Sequence, residues 1–306
     1  MTNVSPVLVT GATGRHGSTG AHVVRRLREE GRAVRVLART PGERTEALAG
    51  LGAEIVRGDL RDRRSLVPAL DGVELAYFTY PIDAGVVGAA ANYAAAVREA
   101  GGRPRTVVMS MGPAHPRHPS DRGRDQWLAE EVLQWAGLDL LVLRVAAAFH
   151  ENIPVLHGRS VGREGVIRNC FGDAEVAWIN GADAGELAVA ALLHPERFDG
   201  PVCHPAGSEQ FSHAGIAALL AEDLGRPVRF EAISREQWRQ ELTELSTVDT
   251  SGVVNPDMAA HISAVASAVA DRGPTRAADA AALTALIGRP PVPLRDYLRT
   301  SRKAFA

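Results

Sequence analysis

The sequence predicts an α/β fold in which helices cover both faces of a doubly wound parallel sheet. Short apolar segments alternate with helix-like segments through the first half, and a glycine-rich turn joins the first of each. The second half is less regular, which predicts a smaller lobe that binds the substrate. We therefore predict a nucleotide-binding sheet domain over 1–152 and mainly a substrate lobe over 153–306, with some elements packing back on the sheet.

The first domain alternates strands and helices. The predicted strands are Val7–Thr10, Ala33–Ala38, Glu54–Arg57, Leu75–Thr79, Thr106–Ser110 and Leu138–Leu143. The clearest helices are Ser18–Glu30, Ala84–Ala100 and Arg124–Trp135. The first helix has the spacing of one buried face, carried by Gly20, Val23, Val24 and Leu27.

The second half begins with a stretch that reads as a loop. Its predicted segments are this loop (Ile153–Gly172), a strand (Glu175–Ile179), a helix (Ala184–Leu193), a further β-α-β-α series to about Leu245, helices at Ala259–Ala270 and Arg276–Ile287, and a proline-marked end. No internal repeat or low-complexity linker separates the two halves.

Composition excludes several classes of partner. The net charge is −2 and 45% of the residues are hydrophobic, as in an ordinary globular protein, so nothing favours nucleic acid. No apolar run approaches the roughly 20 residues that span a bilayer, and no signal peptide is evident at the N-terminus. Two cysteines, Cys170 and Cys203, are too few for a disulfide framework. We expect a cytoplasmic protein with a small-molecule partner.

The segment Val9–Gly17, VTGATGRHG, is the strongest functional signal. Gly11 allows a tight turn, Gly14 allows the backbone to approach a pyrophosphate, and Gly17 allows helix and strand to pack closely. The N–H groups at the start of the following helix then face the anion. The segment therefore predicts a dinucleotide site, which is also bordered by the remaining polar residues of the turn: Thr13, Arg15 and His16.

The second strand favours NADP(H) over NAD(H). An NAD site usually has an acidic residue about 20 residues after the glycines, where it binds the ribose 2′-hydroxyl. No acid occurs between Ala33 and Thr40, whereas Arg39 can donate to a 2′-phosphate and Arg15 can add a second positive charge. The alternative interpretation of Arg39 is a solvated strand end.

Several segments together resemble the NmrA-like proteins, an atypical branch of the short-chain dehydrogenases with a Rossmann fold. They are VTGATGRHG, GDLRDRRSLVPALDGVELAYF (Gly58–Phe78), GLDLLVLRVAAAFHENI (Gly137–Ile153), the acidic helix start Asp183, and TALIGRPPVPLRDYL (Thr284–Leu298). The resemblance runs nearly end to end and implies the fold. It implies less about function, because this branch includes reductases, isomerases and redox-sensing proteins without catalysis.

The resemblance also implies a set of cofactor contacts. Asp59 and Leu60 are expected beside the adenine, although Asp59 could instead cap the helix that follows. Further cofactor contacts are expected at the ends of the fourth and sixth strands and just beyond, around the ribose and nicotinamide: Thr79, Tyr80, Val145 and Phe149.

The usual catalytic pair of short-chain dehydrogenases, Tyr-x-x-x-Lys, is missing. The resemblance puts Arg122 at the tyrosine position and Gln126 at the lysine position, and it matches Ser110 to the catalytic serine. The chain's single lysine, Lys303, lies almost at the C-terminus. Gln126 can still hydrogen-bond a ribose hydroxyl, but it cannot lower the pKa of a phenol by its charge.

Candidates for a remaining proton donor are Ser110, Tyr80, His118 and His150, and each of them could instead serve only packing or solvation. His150 is the most interesting, because it follows the segment expected beside the nicotinamide. No metal site is predicted, since His115 and His118 share a loop with no evident third ligand.

The leading hypothesis is an NADPH-dependent reductase of a planar aromatic ketone or quinone, in bacterial secondary metabolism. Loss of a positioned acid costs about 10²- to 10⁴-fold in rate, whereas holding the hydride donor and acceptor in line can retain more than that. The alternatives are an NADP(H)-sensing regulator without catalysis and a non-redox isomerase or cyclase on the same fold.

Overall fold

The computed structural model describes residues 5–14, 16–249, 252–274 and 276–306. Its strands are β1 (Val7–Val9), β2 (Val34–Ala38), β3 (Glu54–Arg57), β4 (Leu75–Phe78), β5 (Arg105–Met111), β6 (Leu140–Val145), β7 (Ala148–Phe149), β8 (Val166–Asn169), β9 (Val176–Ile179), β10 (Val202–Cys203), β11 (Glu209–Phe211) and β12 (Arg229–Ala232). Its helices are α1 (Thr19–Glu29), α2 (Glu43–Gly50), α3 (Arg63–Leu66), α4 (Val86–Ala100), α5 (Asp121–Trp135), α6 (Asn152–Glu164), α7 (Gly181–Leu193), α8 (His213–Leu224), α9 (Arg235–Val248), α10 (Pro256–Arg272), α11 (Ala280–Ile287) and α12 (Leu294–Thr300).

Seven parallel strands form the central sheet, in the order β10-β6-β5-β4-β1-β2-β3. The predicted doubly wound parallel sheet is therefore confirmed. The chain runs outward from β1 through β2 to β3, and then returns to start again at β4 on the other side of β1. This reversal opens a crevice at the carboxyl ends of β1 and β4, where such sheets bind ligands.

Helices cover both faces of the sheet. The helices α1, α2, α7 and α11 share a core with one face, and α3, α4 and α5 share a core with the other. On α1 the four predicted core positions are all buried, so the helical periodicity in the sequence is confirmed. The α5 helix begins before the predicted Arg124, because the Ser120 side chain accepts a hydrogen bond from the Gly123 N–H and caps it.

The smaller lobe has its own apolar core. It contains a three-stranded sheet, β11-β9-β7, a two-stranded sheet, β12-β8, and packed helices that include α6, α8, α9, α10 and α12. Three elements of the second half, β10, α7 and α11, instead belong to the large sheet and its core. No helix in the described part of the chain has the length and apolarity needed to cross a bilayer.

The predicted loop over Ile153–Gly172 is wrong, because this stretch forms α6 and β8. Ile153, His157 and Val161 lie at helical spacing and are all buried. The helical pattern of this buried face is hard to recognise in the sequence, because His157 is a polar residue type and a glycine follows it. That glycine, Gly158, is required because a side chain there would meet the Ala304 carbonyl, only 2.6 Å from the position of its Cβ.

Asp183, in the first turn of α7, holds the C-terminal segment to the sheet domain. Its carboxylate is 0% exposed, accepts a hydrogen bond from the Val292 N–H at 2.8 Å and lies 2.7 Å from Nη1 of Arg289. We expect Asp183→Ala to lower the free energy of unfolding by about 2 kcal/mol, because the part-buried Val292 N–H loses its acceptor and Arg289 loses its carboxylate partner. Chemical denaturation measures this change. Asp139→Ala, which removes an exposed ion pair with Arg105, should change it by less than about 1 kcal/mol, and equal losses would contradict the assigned role.

Candidate cofactor and active site

The glycine-rich loop between β1 and α1 forms a tight turn at the crevice. Gly11 has a φ of 65°, and the Gly14 N–H donates to the Gly11 carbonyl at 2.9 Å. A Cβ atom on Gly11 would overlap Cγ2 of Thr79 at the end of β4. Ser18 lies before α1 with a φ of 51°, and its side chain does not cap the helix. The first N–H groups of α1 are therefore not occupied by this cap and can bind an anion.

The close packing of helix on strand is made by Gly20 and not, as predicted, by Gly17. A Cβ atom on Gly20 would lie 2.8 Å from both the Ala12 Cα atom and the Gly11 carbonyl oxygen. Gly17 instead turns with a φ of 62° and faces the Phe149 ring, and its carbonyl oxygen contacts Gly181 at the start of α7. The loop is therefore held from its outer side by α7.

Two other residues of this turn, Thr13 and His16, do not provide a positive charge for a phosphate. The Thr13 carbonyl accepts a hydrogen bond from Nη1 of Arg44 at 2.7 Å. The His16 ring contacts the Phe149 ring edge-on, with centroids 5.3 Å apart, and burial lowers the pKa of His16 to about 4. His16 is thus neutral at physiological pH. Arg15, the predicted second contact to a phosphate, lies outside the described residues.

Arg39 and Arg44 lie on the two sides of the β2–α2 turn. Arg39 is exposed just beyond β2 and makes no hydrogen bond or ion pair with the described residues. Arg44, in the first turn of α2, reaches the glycine-rich loop. Sequence reasoning missed Arg44, although its distance from Arg39 within RTPGER was a usable signal. The pair makes this end of the crevice suitable for a phosphate dianion.

Asp59 forms a local turn beyond β3. Its carboxylate accepts a hydrogen bond from the Arg61 N–H at 2.9 Å. The cap of α3 is Asp62, which accepts from the Arg64 N–H, so the alternative role of Asp59 as helix cap is wrong. Leu60 is buried beside it. Both residues lie next to the crevice and stay predicted adenine contacts.

The predicted donor Tyr80 is engaged elsewhere. Thr79 is fixed by Thr10, whose hydroxyl oxygen accepts from the Thr79 N–H at 3.0 Å. The Tyr80 hydroxyl accepts from Nε of Arg61 at 2.9 Å and donates to the Ala84 carbonyl at 3.2 Å. Its proton therefore points away from an acceptor in the crevice.

Ser110 lies near the end of β5, and Gln126 lies within α5. The Ser110 hydroxyl donates to the buried carboxylate of Glu130 through a short hydrogen bond. Glu130 also accepts from Nε of Arg144 at 2.8 Å, and burial raises its pKa. Gln126 is 7% exposed, and its amide makes no hydrogen bond within the described residues. Glu130 and Arg144 were missed as partners of Ser110, while Gln126 keeps its donors and acceptor available for a ligand.

His150 does not face the crevice. Its ring is 0% exposed, neither nitrogen has a hydrogen-bond partner among the described residues, and the ring packs on Tyr297 of α12 at a centroid distance of 5.5 Å. Burial lowers its pKa to about 4. The role of His150 as a donor beside the nicotinamide is therefore not supported. Its neighbours Val145 and Phe149 do lie at this end of the sheet, and Phe149 borders the glycine-rich loop.

His118 is buried as well. Its Nδ1 lies 3.0 Å from the Ser120 backbone N–H, and burial lowers its pKa. His115 is exposed at the other end of this turn, and its Nδ1 accepts from the Arg117 N–H. Among the described residues no group of three or more His, Cys, Asp or Glu side chains could hold a metal ion.

Glu151 lines a groove of about 590 Å³ between α1, α2 and α12, on the outer side of the glycine-rich loop. Both carboxylate oxygens lie 3.1 Å from the Gly181 nitrogen. Burial raises the pKa of Glu151 from 4.5 to about 7. The folded protein therefore keeps this proton at a higher pH than the unfolded chain does, and the stability that results is lost as the pH rises from about 4.5 through 7.

We expect Glu151→Gln to remove this part of the pH dependence. The melting temperature of the variant minus that of the unmodified protein should be about 2–4 °C larger at pH 8 than at pH 5. Circular dichroism in matched buffers measures both proteins. Glu29→Gln, at an exposed position in α1, is the control and should show no such rise. A constant difference across this range would contradict the assigned pKa.

Several of the known proteins that are similar to this chain are oxidoreductases. The sequence model of the NmrA-like family matches residues 3–272. An NAD(P)H azoreductase of Xenophilus azovorans is 32% identical over 240 residues, covering 78% of this chain and 80% of the relative. A (4-alkanoyl-5-oxo-2,5-dihydrofuran-3-yl)methyl phosphate reductase of Streptomyces griseus is 31% identical, covering 98% and 99%.

Solved structures share the whole fold. The NADPH complex of an NADPH-dependent quinone oxidoreductase from Escherichia coli has a TM-score of 0.79 at 21% identity, covering 97% of this chain and 99% of that one. A Citrobacter triphenylmethane reductase complexed with NADP(H) has a TM-score of 0.76 at 20% identity, covering 96% and 99%. With the glycine-rich crevice and the family match over most of its length, the chain belongs to the NmrA-like family.

Proposed function

We propose that the chain is an NADPH-dependent reductase whose acceptor is a planar aromatic ketone or quinone. The broader activity class, an NAD(P)H-dependent oxidoreductase, is supported by the reductases among its relatives. The choice of NADPH is supported by the exposed Arg39, which has no partner among the described residues, and by Arg44 on the other side of the β2–α2 turn. The observation that carries the proposal is the glycine-rich turn between β1 and α1, with the basic residues of the β2–α2 turn beside it.

The cofactor residues fit a dinucleotide. Gly11 and Gly14 leave room for the pyrophosphate against the start of α1, and Gln126 can hydrogen-bond a ribose hydroxyl. Val145 and Phe149 offer apolar contacts to the nicotinamide. When bound, the cofactor supplies a hydride.

The proposed acceptor follows from the hydrogen bonds that Ser110 and Tyr80 already make within the protein. The Ser110 hydroxyl donates its hydrogen bond to Glu130, and the Tyr80 hydroxyl donates its hydrogen bond to the Ala84 carbonyl. Neither is free to protonate an alkoxide as it forms. Reduction is then favoured for acceptors that spread negative charge over an aromatic system or carry an internal hydrogen bond, while the protein contributes alignment.

The test is NADPH oxidation, followed at 340 nm, with a panel of naphthoquinones, anthraquinones and aromatic ketones. We expect turnover with at least one quinone and a higher kcat/KM for NADPH than for NADH. The second candidate is an NADP(H)-sensing regulator, favoured by the same engagement of both hydroxyl groups. Tight NADPH binding without turnover of any acceptor would contradict the reductase and favour the sensor.

A further inference from the structure

Helix α10 extends from the smaller lobe across the carboxyl ends of the central strands. In its first turn the Asp257 carboxylate accepts a hydrogen bond from the Ala84 N–H at 3.2 Å and lies 3.7 Å from Nη1 of Arg122. The Asn255 side chain donates to the Ile82 carbonyl at 3.3 Å. The helix is thereby fixed to the loop after β4 and to the start of α5. These two elements border the crevice.

His261 lies one turn further along α10, four residues after Asp257 and on the same face. Its Nδ1 is 2.6 Å from the Ser120 hydroxyl oxygen, and its ring stacks on His118 with centroids 5.5 Å apart. The residue is 9% exposed, and its Nε2 has no hydrogen-bond partner among the described residues.

The hydrogen bonds around Ser120 favour one tautomer of His261. The Ser120 backbone N–H lies 3.0 Å from Nδ1 of His118, closer than the Ser120 carbonyl at 3.3 Å, so this nitrogen accepts. The Ser120 hydroxyl oxygen accepts from the Gly123 N–H. Its proton is then available for Nδ1 of His261, the shorter of its two contacts with a ring nitrogen. His261 therefore keeps its own proton on Nε2, the nitrogen without a partner.

The surroundings keep His261 neutral. Burial, followed by the electrostatic effects of His118, His16 and Arg122, lowers its pKa to about 3. A neutral imidazole is a poor ligand for a phosphate, but it is a good hydrogen-bond donor to an uncharged polar atom. His261 also comes from the smaller lobe, which the sequence predicts to bind the substrate. Both facts favour contact with the acceptor over contact with the cofactor.

We propose that His261 is a catalytic residue, whose Nε2–H donates a hydrogen bond to the acceptor atom that gains negative charge during hydride transfer, and that Ser120 positions its ring. This inference rests on the proposed reductase. His261 thereby supplies the hydrogen-bond donor that the missing Tyr-x-x-x-Lys pair would provide. No proton from Ser110 or Tyr80 is needed. The site that His261 adds is specific for an oxygen or nitrogen acceptor atom on a flat aromatic molecule.

The test compares His261→Leu with His261→Gln, whose amide can return a donor near the position of Nε2. With a naphthoquinone, His261→Leu should lose about 100-fold in kcat/KM, and His261→Gln should recover at least tenfold of that. The NADPH dissociation constant, from fluorescence titration, should change less than threefold in both. Ser120→Ala should lower kcat more than it raises KM, and Ser120→Thr should restore kcat. His194→Leu, at an exposed position after α7, is the control.

Two results would overturn the inference: kcat/KM within threefold of the unmodified protein in His261→Leu, or a loss of NADPH affinity equal to the loss of kcat/KM. If the unmodified protein turns over no acceptor, the proposed function fails, and naphthoquinone binding to the NADP⁺-loaded protein then tests His261 separately. Weakening of that binding by tenfold or more in His261→Leu supports the inference, whereas unchanged or absent binding overturns it. Should His261→Leu not fold by circular dichroism, the comparison of His261→Gln with Ser120→Ala decides by the same readouts.

Discussion

Replacing Gly181 by alanine is expected to weaken NADPH binding by about 10- to 100-fold, although Gly181 itself lies at the start of α7. A Cβ atom at this position would overlap the carbonyl oxygen of Gly17. Both partners are backbone or fixed to backbone, so the glycine-rich loop or α7 has to shift. Overpacking of this kind costs about 1–3 kcal/mol, and each 1.4 kcal/mol that reaches the bound cofactor is a factor of ten.

A matched control separates loop displacement from a general effect of alanine. Gly88 lies exposed in α4, and a Cβ atom there would meet nothing within 4 Å. Gly88→Ala should leave the NADPH dissociation constant unchanged and raise the melting temperature slightly, because alanine favours a helix. Titration calorimetry measures both variants. NADPH affinity in Gly181→Ala within twofold of the unmodified protein would show that the loop does not depend on α7.

Replacing Arg39 by alanine is expected to weaken NADPH by about 10- to 100-fold and to leave NADH within about twofold. A charge-assisted hydrogen bond to a phosphate contributes about 1.5–3 kcal/mol, and NADH has no 2′-phosphate to lose it. Arg44→Ala should have a smaller effect of the same kind, since Arg44 is already bonded to the Thr13 carbonyl.

The control is Arg103→Ala, which removes an exposed arginine just before β5, at the amino ends of the strands and so opposite to the crevice. It should change neither affinity, as measured by fluorescence titration with each nucleotide. Equal losses of NADPH and NADH in Arg39→Ala would remove the case for a 2′-phosphate contact. No loss with either nucleotide would instead make Arg39 the solvated strand end of the alternative interpretation.

The large sheet was predictable because its signals are local. The apolar face of α1 repeats at helical spacing, and the glycines of the loop follow a strand directly. The α6 helix was missed because its buried face includes His157, and because the need for Gly158 arises from Ala304, far away in the chain. Periodicity alone cannot reveal such a contact.

The site was predictable only where neighbours in sequence are neighbours in space. His150 was expected beside the nicotinamide because it follows Phe149, but β7 ends at Phe149 and the His150 ring packs on Tyr297 instead. The contact of His261 with Ser120 joins α10 to the start of α5, and no local pattern carries it. Long-range packing therefore decides which polar groups are free to react.

The proposed function requires that the glycine-rich loop binds a dinucleotide phosphate with a preference for NADPH. Isothermal titration calorimetry of the unmodified chain with NADPH and NADH measures both affinities. We expect one site per chain and a dissociation constant for NADPH at least tenfold lower than that for NADH. Absence of binding heat with both nucleotides over a range of temperatures would contradict it.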